Sequence, residues 1–272
     1  IPDSLKGLIR ERLDNWSVTT LDAKAAAEII KKEIDALVAK NPGNERFRLA
    51  ASLKDLLIER SIWIFGGDGW AYDIGFGGLD HVLANNRNVN VLIVDTEVYS
   101  NTGGQASKST PRGAVAKFAA NGKQMGKKNL GLMMATYNSC YVASINQAVN
   151  KEQCVKAIIE AESYQGPSVV IAYAPCIAHG YDLRLSMQQG KKASDSGYWP
   201  MYRYNPAKLG TSESPLSWDA PEATIEFGEF KEIENRYQML SRSNPAEAER
   251  LAALAARDNA IRTHNILNLK NS

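Results

Sequence analysis

Two short stretches concentrate the residues able to do chemistry. The first is Gly66-Gly67-Asp68-Gly69 and the second is Asp95-Thr96-Glu97-Val98-Tyr99-Ser100-Asn101-Thr102-Gly103-Gly104-Gln105. Glycines in the first let backbone N–H groups come close to an anion, and a helix that follows turns its positive end toward a phosphate. A carboxylate in such a cradle repels the phosphate unless a cation lies between them, so Asp68 points to a bridging Mg²⁺. The second stretch offers further hard oxygens: the Thr96 hydroxyl, backbone carbonyls, Ser100 and Asn101. Together the two describe a metal–diphosphate site. Plainer roles stand beside it on spacing alone: glycines for tight packing, Asp68 as a helix N-cap, Thr96 and Ser100 as turn residues.

Rival phosphate motifs fit poorly. Gly67-Asp68-Gly69-Trp70-Ala71-Tyr72 keeps the G-x-G of a dinucleotide fold but has Tyr in place of the third glycine. No G-x-x-x-x-G-K-[ST] string occurs, which excludes a P-loop. The three cysteines, Cys140, Cys154 and Cys176, form no C-x-x-C pair and no disulfide framework, which points to a reducing compartment. Cys140 and Cys154 read as small buried hydrophobes. His81 sits mid-helix in a structural role; His179, close to Cys176, is the better functional candidate. Lys108, Arg112 and Lys117 read as solvated surface, with steering of an anionic substrate or coenzyme A as the alternative.

The elements that would position these residues follow from periodicity. Residues 1–60 read as helices with Leu5, Leu8, Ile9 and Leu13, then Ile30, Ile34, Leu37 and Val38, then Leu49, Leu53, Leu56 and Leu57 on their buried faces. From residue 61, apolar runs at 61–65, 89–94, 130–135 and 168–173 read as strands buried on both sides. A helix with Ile74, Leu79, Val82 and Leu83 on one face, and another over 142–163, alternate with them. That pattern predicts an α/β fold, an open mainly parallel sheet with helices on both faces. Beyond 180, helices are expected near 182–192, 222–242 and from Asn244-Pro245 to about 262. Tyr198 to Pro206 is expected as an extended arm lying on another surface. The expected organisation is a helical lead-in (1–60), the α/β domain (61–180), and an arm with a helical C-terminal region (181–272).

Composition sets the outer bounds. With 272 residues, 44% hydrophobic and 23% charged, the chain is an ordinary globular sequence. Its 32 Lys and Arg against 30 Asp and Glu give no reason to invoke nucleic acid or an acidic membrane surface. The apolar runs are far shorter than the roughly 20 residues of a membrane span, and no leader opens the chain, so a cytoplasmic protein without membrane contact is expected. A start at Ile1 points to processing or to a piece of something longer.

Longer strings around both motifs are more specific. Trp63-Ile64-Phe65-Gly66-Gly67-Asp68-Gly69-Trp70-Ala71-Tyr72-Asp73-Ile74-Gly75, and Asp95 through Gln105 continued by Ala106-Ser107-Lys108, resemble pyruvate:ferredoxin (flavodoxin) oxidoreductase near the carboxyl end of its large single-chain form. Ile171-Ala172-Tyr173-Ala174-Pro175-Cys176, Gly197-Tyr198-Trp199 and Tyr202-Arg203-Tyr204-Asn205-Pro206 extend the resemblance over residues 55–210. It implies a thiamine diphosphate-binding fold in which Asp68, Thr96 and Val98 hold Mg²⁺. It implies that Gly67, Gly69 and Trp70, with Thr96, Glu97, Val98, Tyr99, Ser100 and Asn101, line the diphosphate, and that Asn101 lies beside the reacting 2-oxoacid. Cys176 matches one ligand of a [4Fe–4S] cluster, which needs four thiolates. The other ligands, the acid that activates the coenzyme and most substrate contacts belong to other domains of the same enzyme. The implied activity is oxidative decarboxylation of pyruvate to acetyl-CoA and CO₂, with electrons passed through clusters to ferredoxin or flavodoxin, in a homodimer. A non-redox thiamine diphosphate decarboxylase or synthase would show Asn-Asn in the second loop and need no cluster cysteine. An inactive structural fragment is the remaining alternative.

Overall fold

The computed structural model describes every residue except Ser17, Thr19 and Ser272, and it divides the chain into two compact units, Ile1–Ile62 and Trp63–Ser272. In the first unit α1 (Asp3–Asp14), α2 (Leu21–Lys40) and α3 (Glu45–Leu53) are separate helices. The Thr20 and Asn44 side chains accept N–H groups from the first turns of α2 and α3, which otherwise lack partners. Leu5, Ala27, Ile30, Ile34 and Leu57 form its core. Leu8, Leu13, Leu49, Leu53 and Leu56, expected on buried faces, are exposed. The core these helices share is small, and it cannot cover every apolar residue that periodicity assigns to it. Ser17 and Thr19, within the stretch expected to be helical, lie outside the described residues.

The second unit is built on a six-stranded sheet: β1 (Trp63–Gly67), β2 (Asn90–Asp95), β3 (Tyr141–Ile145), β4 (Ser168–Tyr173), β5 (Tyr202–Tyr204) and β6 (Leu216–Trp218), in the order β1-β2-β4-β3-β5-β6. The first four strands run parallel, and β5 and β6 add to β3 in antiparallel fashion. One face carries Val91, Ile93, Val142, Val169 and Ile171. It packs on α4 (Phe76–Ala84), α5 (Leu130–Ala135) and residues of α7 (Ser186–Asp195), α8 (Phe227–Lys231), α9 (Asn235–Ser243) and α10 (Pro245–Leu267). The other face carries Tyr141, Ala143, Ile145 and Val170 and packs on α6 (Lys151–Ser163). Strands apolar on both sides thus lie between helix layers, as the runs of Val, Ile and Leu require.

Four expectations are corrected. Residues 130–135 form α5 rather than a strand, because the Asn129 side chain caps the turn by accepting the Leu132 N–H, and a six-residue apolar run has no period of its own to decide. The expected 142–163 helix is β3 followed by α6, with Asn150 capping the helix start. The Tyr198–Pro206 arm is core, not a surface contact: Tyr198, Trp199, Met201, Tyr202 and Tyr204 are buried, and β5 covers the otherwise open edge of β3. Ile74 is exposed because Gly69–Ile74 winds as a π-helix, which turns it off the buried face. No helix among the described residues is long and apolar enough to cross a membrane.

Candidate functional site

β1 and β2 are parallel neighbours with Gly67 opposite Val94, so both chains leave the sheet at one edge and Asp68 emerges beside Asp95. β4 flanks β2 with Tyr173 opposite Asp95, which brings residues 174–180 to the same rim. In open α/β sheets this carboxyl edge is where ligands bind.

Asp68 is buried at that edge, 1% exposed. Its Oδ1 accepts the Thr96 N–H at 3.2 Å and the Thr96 hydroxyl at 2.9 Å, and its Oδ2 accepts the Ser107 hydroxyl at 2.7 Å. The Thr96 hydroxyl also lies 3.1 Å from the Val98 carbonyl oxygen. One hydrogen cannot serve both acceptors, so one of these approaches is oxygen against oxygen, and a cation would relieve it. Octahedral Mg²⁺ holds oxygens at about 2.0–2.1 Å, which sets neighbouring ligands about 3 Å apart. The separations of 2.9 and 3.1 Å match that edge. Asp68 makes no capping bond to the helix that follows, which removes the plainer N-cap role. Burial, then the charge of Asp95, pushes its carboxyl up to about 6, against the pull of Ser107, Lys127 and Thr96.

A buried charge network surrounds this trio. Asp95 accepts the Tyr72 hydroxyl and Lys127 Nζ, both at 2.8 Å, and the Ser109 hydroxyl at 2.5 Å. Glu97 Oε1 accepts Lys127 Nζ at 3.1 Å and the Tyr198 hydroxyl. Its Oε2 lies 3.0 Å from Arg236 Nη2, an ion-pair distance, although the N–H groups are not aligned for a hydrogen bond. Arg236 Nε donates to Glu234 at 2.7 Å, and Gln189 donates to the same carboxylate at 2.8 Å. Asp68, Asp95, Glu97 and Glu234 are buried carboxylates, with Lys127 and Arg236 as the cations paired among them. Burial works to raise the Glu97 carboxyl, but Lys127 and Arg236 outweigh it and bring it down to about 2. His179 is fully buried, and burial followed by Arg236 lowers it to about 3. The neutral ring is assigned an Nε2–H that donates to the Thr96 carbonyl at 2.8 Å, so His179 holds the loop.

The other motif residues fall around this centre. A Cβ on Gly66 or Gly75 would lie 2.1 or 2.2 Å from the Trp70 ring, and one on Gly69 would lie 2.5 Å from Tyr99, so these glycines admit the two aromatics. Gly67 is different: the nearest atom to its Cβ position is the Val94 carbonyl at 3.9 Å, which leaves an open cradle. Ser100 and Asn101 are exposed on the loop. Ser100 Oγ lies 3.1 Å from Cys176 Sγ, which also receives the Ala178 N–H at 3.4 Å. Cys140 and Cys154 lie in separate parts of the core, and burial raises both thiols, Cys140 to about 12. Lys108 pairs with Asp73 and Arg112 with Asp258, while Lys117 is exposed. His81 is exposed beside Asn85.

Several residues escaped sequence reasoning. Asp95 and Ser107 lie inside the second motif, but nothing in the spacing gives them a task. Tyr198 reads as part of an arm, and Lys127 and Arg236 carry no signal at all.

Residues 47–172 match the thiamine pyrophosphate enzyme family's C-terminal TPP binding domain. The pyruvate-flavodoxin oxidoreductase of Trichormus variabilis is 51% identical over 235 residues, 86% of this chain and 20% of the relative. The pyruvate:ferredoxin oxidoreductase of Moorella thermoacetica is 55% identical over 205 residues, 75% of this chain and 18% of the relative. The chain is homologous to a section of the pyruvate:ferredoxin (flavodoxin) oxidoreductases. The mitochondrial pyruvate dehydrogenase [NADP(+)] of Euglena gracilis is 43% identical over 258 residues, 93% of this chain and 14% of the relative. The chain spans about a fifth or less of the length of these curated relatives. Gly67, Asp68, Thr96 and Val98 fall inside the region matched to the TPP binding domain, and Cys176 lies just beyond it.

Proposed function

We propose that this chain holds thiamine diphosphate and Mg²⁺ within a 2-oxoacid:ferredoxin oxidoreductase that acts on pyruvate. The observation that carries this is the approach of Asp68 Oδ1, Thr96 Oγ1 and the Val98 carbonyl to separations of 2.9 and 3.1 Å, with too few hydrogens to join them. Asp68, Thr96 and Val98 would hold the cation through carboxylate, hydroxyl and carbonyl oxygens. The open cradle at Gly67, with Gly69, Trp70 and the backbone of residues 96–101, would border the diphosphate. Thiamine diphosphate supplies the nucleophilic carbon and the electron sink that a 2-oxoacid decarboxylation needs. The chain's own part is placement. Its buried carboxylates fix the cation, Asn101 offers its amide to the substrate from an exposed position, and Cys176 contributes one thiolate of a [4Fe–4S] cluster at the same rim.

The remaining thiolates, the acid that activates the coenzyme and most of the substrate pocket are assigned to other domains of the same cytoplasmic, homodimeric enzyme. Coenzyme A takes the acyl group, and electrons leave singly through the clusters to ferredoxin or flavodoxin. Relatives between 43% and 55% identical are named for ferredoxin, flavodoxin or NADP(+), so the final acceptor is set outside this segment. A non-redox thiamine enzyme is the weaker reading, since Thr96-Glu97-Val98 stands where Asn-Asn is expected and Cys176 lies at the site rim.

The test is made on the full-length protein. Pyruvate with coenzyme A reduces ferredoxin or flavodoxin, Asp68→Asn purifies without Mg²⁺ and thiamine diphosphate, and Cys176→Ser lacks the iron of one cluster. Unchanged cofactor content in Asp68→Asn rejects the metal site, and full iron content in Cys176→Ser rejects the thiolate assignment.

A further inference from the structure

Glu97 stands between the two loop residues assigned to the cation, and its backbone lies in the left-handed region at φ +62°. A residue with a side chain is disfavoured there, because its Cβ crowds the following carbonyl oxygen. Glycine would take that conformation without strain, yet the position holds a glutamate. Strain that persists in a fold marks surroundings that over-determine it. Here the surroundings are specific. The Glu97 N–H donates to Asp95 Oδ1 at 3.0 Å, and its carbonyl accepts the Thr110 hydroxyl at 2.6 Å. Its carboxylate, fully buried, leads away from Asp68 to Lys127 Nζ at 3.1 Å, the Tyr198 hydroxyl, and Arg236 Nη2 at 3.0 Å.

The geometry has a consequence for its neighbours. Turning the chain at residue 97 brings the Thr96 hydroxyl within 3.1 Å of the Val98 carbonyl while the same hydroxyl lies 2.9 Å from Asp68 Oδ1. An extended residue 97 would point residues 96 and 98 along a strand, their carbonyls to the same side but the Thr96 side chain out of the plane. The buried carboxylate is held by three partners far along the chain, so relaxing the turn would mean pulling a buried charge from its pairs. That outweighs the backbone strain.

We propose that Glu97 is a positioning residue for the cation: the pairing of its carboxylate with Lys127, Arg236 and Tyr198 holds the strained turn that presents Thr96 Oγ1 and the Val98 carbonyl together toward Asp68. This rests on the metal–diphosphate reading above and gives Glu97 a role other than touching the diphosphate with its side chain. Through it, Tyr198 and Arg236 act on a site that neither contacts.

Outer residues that orient metal ligands cost about 10- to 100-fold in metal affinity when altered. On the full-length protein with thiamine diphosphate present, Glu97→Gln weakens Mg²⁺ retention by about that factor, and Tyr198→Phe weakens it less in the same direction. Mn²⁺ in place of Mg²⁺ gives a second reading: its bound electron paramagnetic resonance spectrum broadens in both variants at saturating metal, which a loss of global stability alone would not produce. Asp68→Asn is the reference. If it binds Mg²⁺ as the wild type does, the metal reading fails and this inference fails with it. If Asp68→Asn loses the metal while Glu97→Gln and Tyr198→Phe keep wild-type affinity and an unchanged Mn²⁺ spectrum, the positioning role alone is overturned. Should Glu97→Gln not fold, Tyr198→Phe decides by the same criterion.

Discussion

One threonine hydroxyl, with a single hydrogen and two oxygens within 3.1 Å, is the point on which the site turns. Residue identity explains why those atoms can meet. Threonine at 96 supplies a hydroxyl, and His179 and Asp68 fix its backbone from either side. Close by, Lys123 shows burial acting on a charge: its amine donates to the Thr110 and Lys108 carbonyls, and burial, followed by Lys127, lowers it to about 8. The sign follows from proton counting. Between pH 8 and 10.5 the unfolded chain holds a proton on this amine that the folded chain has released, so stability rises with pH across that window. Below pH 8 the penalty is complete. Wild-type stability relative to Lys123→Met is therefore expected to increase from pH 7.5 to pH 10 in denaturant titrations, and a constant difference contradicts the assignment.

At the scale of elements, β5 is the instructive case. Its three residues Tyr202-Arg203-Tyr204 are too few to show a strand's alternation, and prolines on both sides argue for a loop. What seats it is the open edge of β3 together with Arg203, which binds Asp219 through two nitrogens at 2.8 and 3.0 Å and Glu160 of α6 at 2.5 Å. Removing one partner of a fully buried pair costs about 3–5 kcal/mol. With the Glu160 side chain 28% exposed, Arg203→Ala is expected to cost about 2–3 kcal/mol, below that fully buried range. Arg203→Lys recovers only part of it, since an ammonium cannot reproduce the two-pronged contact. Urea unfolding of the three proteins checks the order.

For the molecule as a whole, the site is a junction. The ends of β1, β2 and β4, the buried Tyr198, and Arg236 of α9 all converge on one loop. A ligand bound only by the folded state adds about 2.7 kcal/mol at a hundredfold excess over its dissociation constant. For a unit the size of Trp63–Ser272, that corresponds to a rise in melting temperature of roughly 5–10 °C. Thiamine diphosphate with Mg²⁺ is expected to raise by up to that amount the transition in which this unit unfolds within the full-length protein, and chelation of the metal to reverse it. Equal melting curves with and without chelator would count against the proposed cation.

The parallel sheet between helices was legible in the chain because runs such as Val91-Leu92-Ile93-Val94 are apolar on both faces, and only burial on both sides satisfies them. The Gly-Asp-Gly string drew the eye for a similar reason: phosphate and hard-cation chemistry restricts residue type locally, whereas Val98 entered only through the family resemblance. Helix and strand were confused at 130–135, where six apolar residues have no period and one capping asparagine decides. Strand order was not written locally at all. Only the folded sheet sets β1 beside β2, with Gly67 opposite Val94, and so brings Asp68 to Thr96. The same holds for Lys127, Tyr198 and Arg236, whose task exists only because a buried carboxylate must find its partners in space, wherever they lie in the chain.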